Sequence, residues 1–424
     1  MLSCNKVVRQ ISGRARQGTI YSQRSNRNVK MNILQLMPQS PLPASDGGKV
    51  SIWNTTKQFA LAGHNVHALY YSQLPKPTVD IPNITFDPIP IAIRNSPWRI
   101  AKSLFHDQSL FVHKYNTKCI REKIARVIEN GSIDVIHADH TCMGPLAQWA
   151  SATYGIPWGL RLHNVEWMIW QRYAERFPRW HPVRWYVQSQ AAKLRWDEAD
   201  IIRMAPVAFS ITAVDRERAL DLAPSTHLVV APGGVNMPQL GNEKSVVTTD
   251  VVMASSWTWV HNVEGLRWFL DNVWPRVRQT LPQATFGILG KGIPKWLEEY
   301  KDKGVVAEGY VVDLYERLHR SSVYVAPLFV GSGVRIKVLE ALAAGLPVVA
   351  TTVSAEGIDV FDEDGLFRCD DVESSVNQLI TLLTNKELRE RCFVHAREVM
   401  ERSYTWKASI ALMISEYKKL LTNP

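Results

Sequence analysis

Short apolar runs alternate with longer helical patterns along almost the whole chain, and this alternation restricts the fold to parallel α/β architecture. The runs Asn32–Leu36, Asn65–Tyr70, Val135–Ala138, Trp158–Leu162, Phe209–Ala213 and Leu228–Ala231 read as strands. A helix is expected from about Lys49 to Ala62, stopped by Gly63. The composition shifts near Pro232-Gly233-Gly234, and residues 236–249 are polar and turn-rich. The alternation then restarts with strands expected at Val251–Ala254, Thr285–Leu289, Val305–Ala307, Val323–Pro327 and Pro347–Ala350. Helices are expected near 263–279, 313–320 and 335–344, and three more close the chain near 372–384, 386–402 and 406–420.

A chain of 424 residues fits two domains of roughly 200 residues each. We therefore expect two Rossmann-like domains facing a central cleft: residues 31–235, a linker 236–249, and residues 250–405. A final helix, 406–424, is expected to pack back on the first domain. In open sheets of this kind ligands bind beyond the carboxyl ends of the strands.

The net charge of +9 raises nucleic-acid binding, but its distribution argues against it. Residues 1–30 carry seven Lys or Arg and no acid, which leaves +2 for residues 31–424. The basic segment lacks the apolar core of a secretory signal. A disordered extension, an organelle-targeting segment and a surface-binding tail all stay open for it. No apolar run approaches the ~20 residues of a membrane span. The five cysteines have no metal or redox spacing, which fits a reducing, cytoplasmic setting. Peripheral contact at the inner face of a membrane stays open.

The segment Ala326–Ala350 carries the most chemistry. It reads as a strand, a glycine turn (Gly331-Ser332-Gly333), a helix, a glycine stop and another strand. Free N–H groups and the helix dipole favour a phosphate at such a turn. Arg335 and Lys337 fall where cations oppose the dipole unless an anion is near, so they point to a diphosphate. Glu340, one turn beyond Ile336, is suited to two ribose hydroxyls. A solvated βαβ crossover is the plain alternative.

This segment resembles the donor-site signature of the retaining GT-B glycosyltransferases, whose usual form is Glu, seven residues, Glu, Ala and a Gly-x-Pro-Val strand. Glu340-Ala341 and Gly345-Leu346-Pro347-Val348 match it. Ser332 stands where the first Glu would fall, and the Gly-Ser-Gly-Val-Arg-Ile-Lys form is similar to a bacterial polysaccharide subgroup. The resemblance implies a nucleotide-sugar donor and no other cofactor, and transfer to a hydroxyl of a glycan or lipid-linked acceptor. Glu340 would hold the ribose. Ser332, Gly333, Val334, Arg335 and Lys337 would face the sugar and diphosphate, and Gly47 and Gly48 would face the phosphates from the other domain. His163, after the strand Trp158–Leu162, matches a family histidine near the reacting sugar, with Asn164 and Glu166 as its neighbours; His137 and His140 are weaker candidates. We take His163 and Glu340 as the catalytic pair.

Nothing in the sequence has the spacing of a metal site, and no Asp-x-Asp pair is present. Asn262 is expected to cap a helix whose Trp268 and Phe269 pack inward. The Trp- and Arg-rich residues 161–198 suit either an acceptor or membrane surface, or packing with snorkelling Arg stems. A sugar-nucleotide epimerase of the same shape and a catalytically weak glycan-binding protein are the competing functions.

Overall fold

A computed structural model describes residues 30–44, 47–93, 95–175, 177–239, 248–330 and 334–422. The basic segment, Ser332, Gly333 and most of the expected linker lie outside them. Among the described residues the N-terminal half forms a seven-stranded sheet of β1 (Asn32–Met37), β2 (Asn65–Tyr71), β3 (Ile84–Ile89), β4 (Val135–Asp139), β5 (Trp158–Arg161), β6 (Val207–Ser210) and β7 (Leu228–Val230). Their order is β3-β2-β1-β4-β5-β6-β7, and every pairing is parallel.

The C-terminal half forms a six-stranded parallel sheet of β8 (Thr249–Ala254), β9 (Phe286–Leu289), β10 (Val305–Gly309), β11 (Ser321–Ala326), β12 (Val348–Ala350) and β13 (Leu366–Arg368). Its order is β10-β9-β8-β11-β12-β13. The two-Rossmann architecture expected from the alternation is therefore present. Strand order reverses between β1 and β4 in one sheet and between β8 and β11 in the other, which opens a ligand crevice at each carboxyl edge.

Two local readings change. The expected strand Phe209–Ala213 lies at Val207–Ser210 instead, because Thr212 caps the next helix by accepting the Asp215 N–H at 2.8 Å. Asn262 is no cap: the helix begins at Val260, and the Asn262 amide donates back to the Ser256 carbonyl at 2.8 Å. That helix continues through a π-helical turn, Phe269–Val273, into Trp274–Thr280, whose Pro275 has no N–H to continue the α-helical ladder. Phe269 is buried in the core, as expected.

The chain passes between the two halves at Val235 and again at Thr405, and these crossings pair as a parallel bridge. Gly234 lies so close to the second crossing that a Cβ there would come within 2.3 Å of the Trp406 nitrogen. The last helix, Trp406–Thr422, then lies on the first sheet. Its Tyr417 ring fills the space left by Gly159, where a Cβ would meet the ring at 2.5 Å. The Tyr417 hydroxyl bonds His137 Nδ1 at 2.6 Å, and the ring meets Phe209 edge-on at 5.6 Å.

Candidate active site

The carboxyl ends of β1, β4 and β5 meet in a buried polar network. Asp139, the last residue of β4, has no exposure. One oxygen accepts from Gln35 Nε2 at 2.9 Å, and the other faces His163 Nε2 at 2.5 Å. Burial alone would raise the Asp139 carboxyl, but His163 and His137 outweigh it and hold it well below the usual range. Burial lowers the His163 imidazole against the pull of Asp139. A neutral ring next to an acceptor-only carboxylate carries its proton on Nε2 and leaves Nδ1 as an acceptor.

His140 stacks on His163, with ring centroids 3.9 Å apart and planes 8° from parallel. Its backbone has φ of 96°, a strained value for a residue with a Cβ. Arg161, the last residue of β5, is fully buried and donates to Thr55 Oγ1.

Glu198, on the long helix Pro182–Met204, caps the helix Glu166–Glu175 from outside that helix. Its carboxyl accepts the N–H of Glu166 at 2.9 Å and that of Trp167 at 2.8 Å. Burial pushes Glu166 up to about 7 and Glu198 up to about 8. Glu198 therefore holds its proton at neutral pH, and Glu166 is about half protonated there.

In the second domain β11 runs into Pro327–Val330, and the chain enters the helix Ile336–Ala343 through Val334 and the capping position Arg335. Burial lowers the Arg335 guanidinium, while the Glu356 carboxylate pulls it back up. Lys337 Nζ lies 2.9 Å from Glu340 Oε2, so two of the three charged residues of the expected donor site pair with each other. Lys337 is half exposed and Glu340 mostly buried. Burial raises the Tyr324 hydroxyl, and the Glu340 carboxylate raises it further. Tyr324 is anchored at the end of β8 by its bond to the Ala254 carbonyl, 2.9 Å.

The two halves meet at this helix. Gly47, with Gly48 beside it, opens the helix Gly47–Leu61. A Cβ on Gly47 would lie 3.8 Å from Ile336 Cδ1. Nearby, Arg218 of the first domain pairs with Glu356 of the second at 2.9 Å. Between the domains lies a cavity of about 730 Å3, lined by Ile169, Arg172 and Tyr173 on one side and by Trp259, His261, Phe329, Val330, Thr352, Val353 and Glu356 on the other. His163 stands behind the first wall rather than in it, three residues before the helix Glu166–Glu175 that supplies that wall. A second hollow, about 530 Å3, opens beside Asn32, Asn65 and Lys123 at the amino ends of β1 and β2, the edge opposite this network. Among the described residues no group of three or more His, Cys, Asp or Glu is placed to hold a metal ion.

Sequence reading did not find Asp139, Glu198 or Glu356. Asp139 lies one residue past the strand expected at Val135–Ala138. Glu198 falls in an ordinary helical pattern, and Glu356 lies in a turn with no motif around it.

Residues 248–385 match the family model described as Glycosyl transferases group 1. Sulfoquinovosyl transferase SQD2 of Arabidopsis thaliana is 43% identical over 86 residues, 19% of this chain and 16% of that protein's length. Sucrose-phosphate synthase (tll1590) from Thermosynechococcus elongatus has a similar structure, with a TM-score of 0.66 at 15% identity, covering 93% of this chain and 100% of that one. Anabaena Alr3699/HepE in complex with UDP matches with a TM-score of 0.60 at 14% identity, over 92% of this chain and 100% of that one. The two structural likenesses span both domains and show the GT-B fold.

Proposed function

We propose that this protein is a glycosyltransferase that moves a sugar from a nucleoside-diphosphate sugar to a hydroxyl of a glycan or lipid-linked acceptor, with retention of configuration, in polysaccharide biosynthesis. The observation that carries this reading is the helix Ile336–Ala343, which starts beside the β8/β11 switch point with Arg335, Lys337 and Glu340 at its head. It lies inside the span matched by the family model, and a Cβ built on Gly47 of the facing domain would meet its Ile336 at 3.8 Å. UDP in the Anabaena relative supports a nucleotide donor here.

In this reading Glu340 accepts two ribose hydroxyls, and Lys337 is released from it toward the diphosphate. Arg335, Lys337 and the N–H groups at the helix start stabilise the charge that develops on the departing nucleoside diphosphate. Gly47 and Gly48 bring backbone close to the same phosphates from across the cleft. His163, held neutral against Asp139, is assigned to the reacting sugar. Attack comes from the face the diphosphate leaves, and the departing phosphate takes the acceptor's proton. The paired crossings at Val235 and Thr405 supply a hinge for closure, which keeps water from the donor.

The test is thermal stabilisation by a panel of nucleotide sugars, for wild type and Glu340→Ala. A ligand at a hundredfold excess over its Kd adds about 2.7 kcal/mol. Wild type should gain that shift with one base and Glu340→Ala should lose most of it. Equal shifts in both would count against the assignment. An isomerised donor formed without acceptor would instead indicate an epimerase.

A further inference from the structure

Two neighbouring segments of the first domain have a surface unlike the rest. Residues 95–106 and 177–196 together carry six Lys or Arg and no Asp or Glu. The body from residue 31 onward has a net charge of only +2, so outside these segments it is acidic overall. The short helix Pro97–Leu104 in the first segment is mounted with its apolar face outward. Ser103 is buried, while Trp98 is 78% and the following Phe105 92% exposed. Trp98, Lys102 and Phe105 fall on one helical face.

The second segment holds the first in place. Lys193 donates to the carbonyls of Ser103, Leu104 and His106 at the end of that helix, and Tyr186 bonds Ser103 at 3.1 Å. The second segment also exposes its own rings, Trp180 at 81% and Trp185 at 66%. A chain of rings links Trp180 to the wall of the interdomain cavity. The Tyr173 ring, in that wall, meets Phe177 at 5.4 Å, and Phe177 stacks on His181, which touches Trp180.

We infer that this face docks on an anionic lipid bilayer, with Trp98, Phe105, Trp180 and Trp185 entering the interfacial region and Lys102 and Arg179 meeting lipid phosphates. Exposed tryptophans among cations, with acids excluded, are complementary to that surface. Interior packing does not account for rings this exposed. The inference rests on the proposed lipid-linked acceptor for its meaning: docking would present the cavity, through Tyr173, to a headgroup held at the membrane.

The experiment is sedimentation of the full chain with vesicles of phosphatidylcholine alone or mixed with phosphatidylglycerol, which needs no donor or acceptor. Its failure would leave the transferase reading standing. Wild type should bind the mixed vesicles and not the neutral ones. Lys102→Gln with Arg179→Gln should lower the partition coefficient by about fivefold per cation. Trp98→Ala with Phe105→Ala should lower it by roughly tenfold, including at high salt, where purely electrostatic binding is screened. Both variants should keep the wild-type urea unfolding midpoint, which shows them folded. Equal binding by wild type and both variants would assign any vesicle affinity to the basic residues 1–30 and overturn the inference, as would equal binding to neutral vesicles or none to either.

Discussion

The raised carboxyls of Glu166 and Glu198 make stability fall as pH rises, opposite in sign to the depressed Asp139, and Glu198 allows this to be measured. Its carboxyl is pushed from 4.5 up to about 8 by burial. Below pH 4.5 both folded and unfolded chains hold the proton, so the group contributes nothing to the pH slope. Between 4.5 and about 8 the unfolded chain has released its proton while the folded chain keeps it. Folding then takes up a proton, and each pH unit costs stability. Above 8 both forms are ionised and the slope vanishes. From pH 5.5 to 8.5 the loss from this one group is about 3 kcal/mol.

Glu198→Gln removes the titration but keeps the shape. It also places an amide where a carboxyl oxygen now receives a backbone N–H from Glu166 or Trp167, at a pH-independent cost of about 1–3 kcal/mol. The variant should therefore be less stable than wild type in urea unfolding at pH 5.5 and overtake or equal it at pH 8.5. The quantity that tests the reasoning is the change in the difference between the two proteins. A difference that stays constant across that range would mean Glu198 is already ionised in the folded state. The assigned proton would then be wrong, and with it the account of how the helix Glu166–Glu175 is held against the cleft.

Three further outcomes follow from the contacts between elements. Gly357→Ala places a Cβ 2.4 Å from Thr212 Cγ2 and 2.9 Å from Thr212 Cβ at a φ of 74°, and should cost about 1–3 kcal/mol in urea unfolding, with Thr212→Ser recovering only part of the steric cost. Tyr417→Phe keeps the ring against Gly159 but strands His137, and should cost about 1–3 kcal/mol with faster hydrogen exchange in the last helix. A double-mutant cycle on Arg218→Ala and Glu356→Gln should give a coupling of no more than about 1 kcal/mol, because both side chains of this 2.9 Å pair keep about a quarter of their exposure. A larger coupling would mean that the domains rely on this pair more than its exposure allows.

What the sequence revealed and what it hid follow from how far apart the contacting residues lie. Parallel strands buried on both faces read as apolar runs, so β1, β2 and β8 are legible. β3 escapes because it is an edge strand whose Asp87 and Pro88 break the apolar run, and only at an edge can a residue without an N–H be tolerated. The helix Ile336–Ala343 is legible because its cations and Glu340 are contiguous with the glycines that precede it. The Asp139 network is assembled from β1, β4, β5 and two helices, with Gln35 and Asp139 104 residues apart, so no local window contains it. Yet its composition says something that packing does not. Replacing buried charges with apolar side chains of similar volume often raises stability. This edge instead buries the charged Asp139 and Arg161 beside the raised carboxyls of Glu166 and Glu198, at the one place in the sheet where strand order reverses and a crevice must open. The second sheet carries its charges on a partly exposed helix, where a ligand can reach them directly. The two edges therefore differ in build: one sets its charges along a partly exposed helix, and the other buries a neutral histidine against a carboxylate.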